Sequence, residues 1–503
     1  MSNSLDNSLK LGKKGLIFVN EHVKDPESFL VDLFEFFTNL NSGMEEFIVV
    51  LEFLCPSPWK EKDERLFIYY LCHKKTSICR YEVESVFTTN VFNTYEVLNT
   101  SISSNGKLFF FQERTITVNC VSELFALFYT DIFMINKKKC FHPQDIFSFE
   151  PIFIPKPWGQ EIWFTGVEKR GAAKMRTVNS GESVPIPWIL STLSKKLLGT
   201  TKAKQPLTLV KILDPISEPI FGDLYYELHT EKNEVYVVTQ INSTVGKIKI
   251  GVNPEKLKEF NNNISEFKKE MCSAIKEYEK IRREIDSIFD TFRKNENFTL
   301  TEPVPSATIK TWLKSLPTEL LKQEQLKREY MDSFVGYLNL DIADVIKVPT
   351  LVPHALQHGV KVVEFQTPTY ERLILSFAQK VLTQSHWDTE QAIELMQITT
   401  PKKTDLEIIH SDSHYKEEIV CEFKEFQSIR LTFYKKFTLA LPQIDKYRIL
   451  FHLSGKLTII AKGDNQHRVE HHINEGECLF IPANLSIELS SIDNSISLIC
   501  FPN

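Results

Sequence analysis

The sequence predicts a mixed, mainly β protein: two β-rich halves separated by a helical insertion and preceded by an α+β region. Three observations carry this. Short alternating runs such as "LTLVKIL" and "NEVYVVTQI" mark strands in 150–250, and many more short strands follow 419. Between the halves, Leu257, Phe260, Ile264, Phe267, Met271, Ala274, Tyr278, Ile281, Ile285 and Ile288 recur at steps of three and four, an apolar stripe along one helix of roughly 30 residues. The chain of 503 residues is also too long for one core, and about 150 residues per domain gives three or four units.

Taken in order, "DPESFLVDLFEFF" predicts a helix opened by Asp-Pro-Glu, and "LFIYYL" and "KLFFFQERTITV" predict strands. Residues 99–107, rich in Ser and Asn, predict a loop. Proline punctuation at 151, 155, 157, 185 and 187 precedes the first set of alternating strands. The stripe from Leu257 has two readings, intramolecular core or a dimerising coiled coil through 255–290, with core the commoner; a second helical block, Ile309 to Leu338, supplies a partner surface. Strands return at "DVIKVPTLVPHAL" and "KVVEFQTP", Asp388 is placed to cap "TEQAIELM", and 401–418 reads as a charged linker. Turns at Ser454-Gly455, Gly463-Asp464 and Glu475-Gly476 divide 419–503 into a small sandwich or barrel.

Composition narrows the function. The chain is 42% apolar and 25% charged with a net charge of −6, which gives no basic footprint for nucleic acid or an anionic membrane. The longest apolar run, Phe47 to Cys55, is interrupted by Glu52 and falls far short of the ~18 residues of a spanning helix. Nine scattered cysteines match no zinc knuckle, and together with the missing signal-peptide pattern they give a cytoplasmic protein with reduced thiols as the expectation. Nucleotide-binding glycine loops and the nucleophile elbow of serine hydrolases are absent.

The chemistry centres on "DLYYELHTEKNEVYVV" (223–238). In a strand, Tyr225, Glu227 and His229 share a face, and Glu234 follows five residues later, far enough to return on a hairpin neighbour. Such residues are either surface polars on an edge strand or three donors converging on a divalent metal. The spacing is that of the first cupin motif, x-H-x-H-x4-E, with Glu227 in place of the first histidine. The second motif, P-x-G-x-x-H, resembles Pro349-Thr350-Leu351-Val352-Pro353-His354, with Leu351 where glycine is usual.

"PKPWGQEIW", "LVKILD", Lys232-x-Glu234, "VPHAL" and "VVEFQTPTYERL" also occur in the order found in type I mannose-6-phosphate isomerases, a resemblance that covers about 150–400 with the last barrel in its expected place. It implies two cupin (jelly-roll) β-barrels: a catalytic one from 149–254 and 339–400 with a helical insertion at 255–338, and a metal-free one at 401–503, behind an unmatched α+β domain at 1–148. It implies that Glu227, His229, Glu234 and His354 bind one divalent metal, zinc ahead of iron or manganese. Lys211 and Lys232 would line the sugar-phosphate pocket, and Glu364, Arg372 and Lys232 would act on the substrate, Arg372 also binding it. This chain departs in having Glu227 for glutamine and Arg372 two residues nearer Glu364. The implied activity is interconversion of mannose 6-phosphate and fructose 6-phosphate; a cupin iron oxygenase and a non-catalytic sugar-binding bicupin are the alternatives. His358 is assigned to a loop or supporting role, and the histidines of "HSDSH" (410–414) and "HRVEHH" (467–472) are set aside as exposed or adventitious.

Overall fold

The computed structural model describes residues 9–11, 14–22, 24–39, 46–74, 81–88, 107–111, 114–118 and 142–503, the last stretch without 180–182, 204, 404 and 464–466. The loop expected at 99–107 lies almost wholly outside these residues. Near the N-terminus, the helix Pro26–Asn39 connects the parallel strands Lys14–His22 and Glu46–Cys55 of a five-stranded sheet. "LFIYYL" falls in the strand Glu64–Lys74, and "KLFFFQERTITV" in the paired strands Lys107–Phe111 and Arg114–Val118. This region is tied to the rest by the buried Glu27, whose carboxylate accepts the N–H groups of Lys195 (2.6 Å) and Lys196 (3.1 Å) at the start of the helix Ser194–Leu198.

The first barrel is two facing antiparallel sheets. One runs, in order, Val345–Val348, Glu234–Ile241, Val360–Gln366, Leu209–Pro215, Gly159–Trp163, Ile152–Lys156. The other runs Val335–Leu340, Gly246–Val252, His354–Leu356, Tyr226–Leu228, Leu373–Ser376. Leu213, Val238 and Val362 of the first sheet and Ile248 and Leu356 of the second belong to one continuous core. The opposite face of the six-stranded sheet, with Val210, Val235, Val237, Val363 and Phe365, packs into a second core beside Phe149, Ile449 and Phe451. Covered on both faces, these strands read as nearly continuous apolar runs, and the few charges within them must find partners inside. Gly159 (φ +144°) sits where a side chain would meet the Asp214 carbonyl at 2.3 Å, so the Trp158-Gly159 pair permits close pairing of Gly159–Trp163 with Leu209–Pro215.

The helical insertion lies between Gly246–Val252 and Val335–Leu340. The expected single helix is divided into Pro254–Glu259 and Ile264–Asn295. Three consecutive asparagines cause the break: Asn261 and Asn262 take left-handed conformations (φ 53° and 60°), and the Asn263 side chain caps the second helix by accepting from the N–H of Ser265 and Glu266. The stripe is buried within the chain, Phe267, Met271 and Tyr278 against the barrel and Ile285 and Phe289 against Trp312 and Leu316. Asp388 precedes the helix Thr389–Leu395, but its carboxylate accepts from the Ile374 N–H (2.9 Å) rather than capping that helix.

The C-terminal sandwich faces a nine-stranded sheet with a four-stranded one across the core of Leu431, Leu450, Ile459, Ile487 and Ile499. The larger sheet also takes in Phe147–Glu150 and Lys174–Thr177 from ahead of and within the first barrel's sequence. Residues 407–411, expected in a linker, are instead its edge strand, paired with Tyr415–Glu422. An edge strand is paired on one side only and leaves Ile408 and Ile409 half exposed, so its alternation is lost to a sequence reading. No described helix is long and apolar enough to cross a membrane.

Phe267→Ala is expected to lower the free energy of unfolding by about 3–5 kcal/mol in urea denaturation, with a midpoint independent of protein concentration. A midpoint rising with concentration would place the stripe in a contact between chains.

Candidate metal centre

Strand alternation builds the site. On the inward face of the six-stranded sheet, Lys211, Glu364 and Tyr236 lie in register across three neighbouring strands, and Glu234 stands two residues from Tyr236. The same faces further along carry Leu213, Val362 and Val238. The barrel interior is therefore charged at one end and apolar at the other. From the facing sheet come Glu227 and His354, directly opposite each other in register, with His229 just beyond Leu228. The hairpin expected between the strands of Glu227 and Glu234 does not form: Tyr226–Leu228 pairs with His354–Leu356 and Leu373–Ser376, while Glu234–Ile241 pairs within the other sheet. Residues 229–233 cross from one sheet to its opposite, so the carboxylate of Glu234 meets the imidazoles from across the barrel.

Glu234 is the hub. Its carboxylate lies 3.1 Å from His354 Nε2, 3.5 Å from His229 Nε2 and 2.6 Å from Lys232 Nζ, and it accepts the Tyr236 hydroxyl at 2.6 Å. Burial raises a carboxylate's proton affinity, but the Lys232 ammonium beside it outweighs this and holds Glu234 well below the usual range. Burial, reinforced by the Lys232 charge, keeps the His229 imidazole neutral, far below its ordinary value. Glu227 Oε1 stands 3.9 Å from His229 Nε2.

The imidazole orientations test whether a cation fits. His229 Nδ1 donates to the Glu371 carbonyl (2.9 Å) and His354 Nδ1 to the Val352 carbonyl (3.0 Å). Both Nε2 lone pairs are thereby turned toward the carboxylates. His229 Nε2 is buried with no hydrogen-bond partner, whereas Glu227 Oε2 faces Arg372 Nη1 at 3.6 Å. Acceptors facing acceptors in a buried pocket are repulsive unless a cation lies among them. The 3.1 and 3.5 Å separations of Glu234 from His354 and His229 match the roughly 3–3.6 Å between donors bound about 2.0–2.2 Å from one ion, and these three residues form the mutually close set, with Glu227 beside it at 3.9 Å from His229. The donor set, two nitrogens and carboxylate oxygens, fits a divalent transition metal.

The second motif keeps its turn despite its leucine. Leu351 has φ 64°, the left-handed conformation glycine would adopt without strain, and its N–H donates to the His229 carbonyl at 2.7 Å. In the C-terminal sandwich the parallel turn is Pro482-Ala483-Asn484, with Asn484 at φ 61°. The position matching His354 is the fully buried Ile487, so that barrel has no ligand there.

Around the centre are five ion pairs. Lys211 Nζ meets Glu364 at 3.2 Å, Lys232 meets Glu234, Arg372 meets Glu227 at 3.6 Å, Lys156 meets Glu161 at 3.1 Å, and Arg170 meets Glu168. Burial opposes the charge on Lys211, but Glu364, Glu161 and Glu234 prevail and raise its pKa. Burial and the nearby Glu234 charge push the Glu364 carboxyl well up, and neither of its oxygens has a hydrogen-bond partner. Arg372 stacks over Tyr225 (4.6 Å) and donates to Thr383 (2.7 Å).

The structure thus brings Glu227, His229, Glu234, His354, Lys211, Lys232, Glu364 and Arg372 into one pocket. Lys156, Glu161, Trp163 and Arg170 were missed, although the first three lie in the "PKPWGQEIW" segment singled out above. Trp163 donates to Glu161 (2.8 Å), carries Arg170 on its face and stacks on Tyr370. Tyr236 was legible as the residue sharing Glu234's face; Glu371 carried no signal. His358 bonds Asp223 (2.7 Å), outside the pocket. His410 stacks on Tyr415, His467 meets Asp145 beside His142, and His471 pairs with Glu477; none of them joins this centre.

No protein-family model and no curated protein sequence matches the chain. Among solved structures, it is similar to mannose 6-phosphate isomerase from Bacillus subtilis, with 12% identity and a TM-score of 0.48 over 71% of this chain and 99% of the other. It is also similar to a mutant of phosphomannose isomerase from Salmonella typhimurium, with 14% identity and a TM-score of 0.47 over 71% and 99%. A zinc-bound mannose 6-phosphate isomerase gives 14% identity and a TM-score of 0.45 over 70% and 99%. At this level the likeness concerns the course of the chain alone.

The Glu371 carboxylate accepts the N–H groups of Thr230 (2.8 Å) and Glu231 (2.9 Å), holding the crossing loop that carries His229. Glu371→Ala, which removes none of the candidate ligands, is expected to weaken divalent-metal binding about 10- to 100-fold in competition with a chromophoric chelator. Unchanged affinity would mean that the loop holds His229 unaided.

Proposed function

We propose that this protein is a divalent-metal-dependent aldose–ketose isomerase, zinc its metal, that interconverts mannose 6-phosphate and fructose 6-phosphate through an enediol. The observation that carries this reading is the convergence of His229, His354 and the Glu234 carboxylate beside a second buried carboxyl, Glu364, that favours its proton. Such a site needs an electrophile and a proton carrier side by side, which is what shifting a hydrogen between adjacent carbons requires.

Glu227, His229, Glu234 and His354 would hold the ion. When bound, it supplies Lewis acidity toward the sugar's carbonyl and hydroxyl oxygens. Glu364 takes a proton from one carbon and returns it to the next; its raised proton affinity suits a carboxylate that holds the proton between the two steps. Lys211, fixed against Glu364, and Lys232, fixed against Glu234, place two ammonium groups where negative charge develops on oxygen. Arg372, at the rim and stacked on Tyr225, orients the substrate.

Charge balance supports a phosphorylated sugar. Without metal Glu364 keeps its proton and the five cations face four carboxylates. With a divalent ion bound and Glu364 ionised as the base, the site would carry two positive charges, which complement a phosphate monoester of about −1.5 to −2. Glu227 in place of a neutral amide lowers the net charge at the ion, giving tighter retention and weaker Lewis acidity.

The test is metal analysis of purified protein with a coupled assay for fructose 6-phosphate from mannose 6-phosphate. Bound zinc with no turnover of any hexose phosphate rejects the proposal, and bound iron with oxygen uptake assigns the site to oxidation instead. Glu364→Gln is expected to lower kcat by about 10²- to 10⁴-fold with zinc still bound. His354→Gln is expected to lose zinc and activity together. If Glu227→Gln changes neither metal content nor turnover, the charge argument fails.

A further inference from the structure

Between the helical insertion and the first barrel lies a cavity of about 140 Å³, lined by none of the ligands named above. Its walls are mostly apolar: Ile285, Phe289, Ile309 and Leu313 from the insertion, Phe221 and Ala378 from the barrel side. Four charged side chains also line it, Arg282, Arg293, Glu324 and Lys380. Three have counter-ions. Arg282 pairs with Asp286 (2.7 Å), Glu324 with Arg328 (3.2 Å) and Lys380 with Asp290.

Arg293 differs. Its side chain is buried, with the residue 4% exposed, and Nη1 donates to the backbone carbonyls of Thr299 (2.9 Å) and Glu302 (2.7 Å). Its Nε is buried without a hydrogen-bond partner, and no carboxylate among the described residues lies within ion-pair distance. The nearest negative charges acting on it, Asp290 and Asp286, are engaged directly by Lys380 and Arg282. A buried cation with no direct carboxylate partner is unfavourable, and Arg293 is one of the residues that line the cavity. An apolar cavity of about 150 Å³ accommodates a molecule the size of benzene, so the space suits a ligand rather than bulk solvent.

We infer that this cavity is a binding site for a small organic anion, a carboxylate on an aliphatic or aromatic body of roughly six to nine heavy atoms. The carboxylate pairs with the Arg293 guanidinium, and the body lies among Ile285, Phe289, Ile309 and Leu313. This site is independent of the isomerase reading.

The test is calorimetric titration of the full-length protein with hexanoate and with 1-hexanol, its neutral counterpart of nearly equal size. Saturable hexanoate binding at least about tenfold tighter than hexanol is expected, a difference of about 1.4 kcal/mol. Arg293→Met should abolish that preference, and Ile309→Trp, which fills the cavity, should abolish binding while leaving the barrel untouched. No saturable hexanoate binding to the wild type overturns the inference and leaves a water-filled void. Equal binding of hexanol overturns it as an anion site, and hexanoate binding retained in Ile309→Trp puts the carboxylate elsewhere, such as the charged pocket of the barrel. If Arg293→Met does not fold, the hexanoate-to-hexanol ratio and Ile309→Trp decide the question.

Discussion

The Glu234 carboxylate is the point on which the charged end of the barrel depends. It is buried, and by itself an ionised carboxylate there would be strongly unfavourable. Two donors make its charge tolerable, the Lys232 ammonium and the Tyr236 hydroxyl. The two imidazoles face it with their Nε2 lone pairs, oriented by the backbone carbonyls that accept from Nδ1, and Glu371 holds the loop that carries His229. A cation among these acceptors would complete the balance.

The same constraint explains the sheets. A six-stranded sheet buried on both faces admits charge only where charges can be paired across neighbouring strands, which is why Lys211 sits opposite Glu364 in register. Two residues along each strand, the inward face turns apolar, and the barrel closes over Leu213, Val238 and Val362. The helical insertion packs Phe267, Met271 and Tyr278 into the core shared with the barrel, so a stripe able to zip two chains together is spent on the interior. The C-terminal sandwich covers the outer face of the sheet and repeats the turn of the second motif without its histidine. It serves as a packing partner whose polar ligand position has become core.

Much of the candidate site was legible because strand alternation is rigid: Glu227 and His229 two apart must share a face, and so must Glu234 and Tyr236. The ordered motifs placed His354 with them. What alternation cannot show is which strand becomes whose neighbour, and that is where the expected hairpin failed. Five residues after His229 suffice either for a turn within one sheet or for a crossing to the opposite one. The crossing prevails because it leaves Glu234 in register with Gln366 and Val348 on a sheet that is covered on both faces. The undivided helix failed for a local reason, three asparagines whose left-handed conformations cost little and whose side chain offers a cap.

By itself the sequence determined the mainly β character and the helical insertion, which follow from periodicity, and it carried the two motifs; the candidate donors rested on the family resemblance those motifs support. Only the tertiary structure decided the partners: that Arg372 meets Glu227, that Lys156 and Glu161 border the same pocket, and that Arg293 is left without a counter-ion. Pairing of buried charges is decided between segments distant in sequence. The energy of leaving one unpaired exists only once the chain has closed around it.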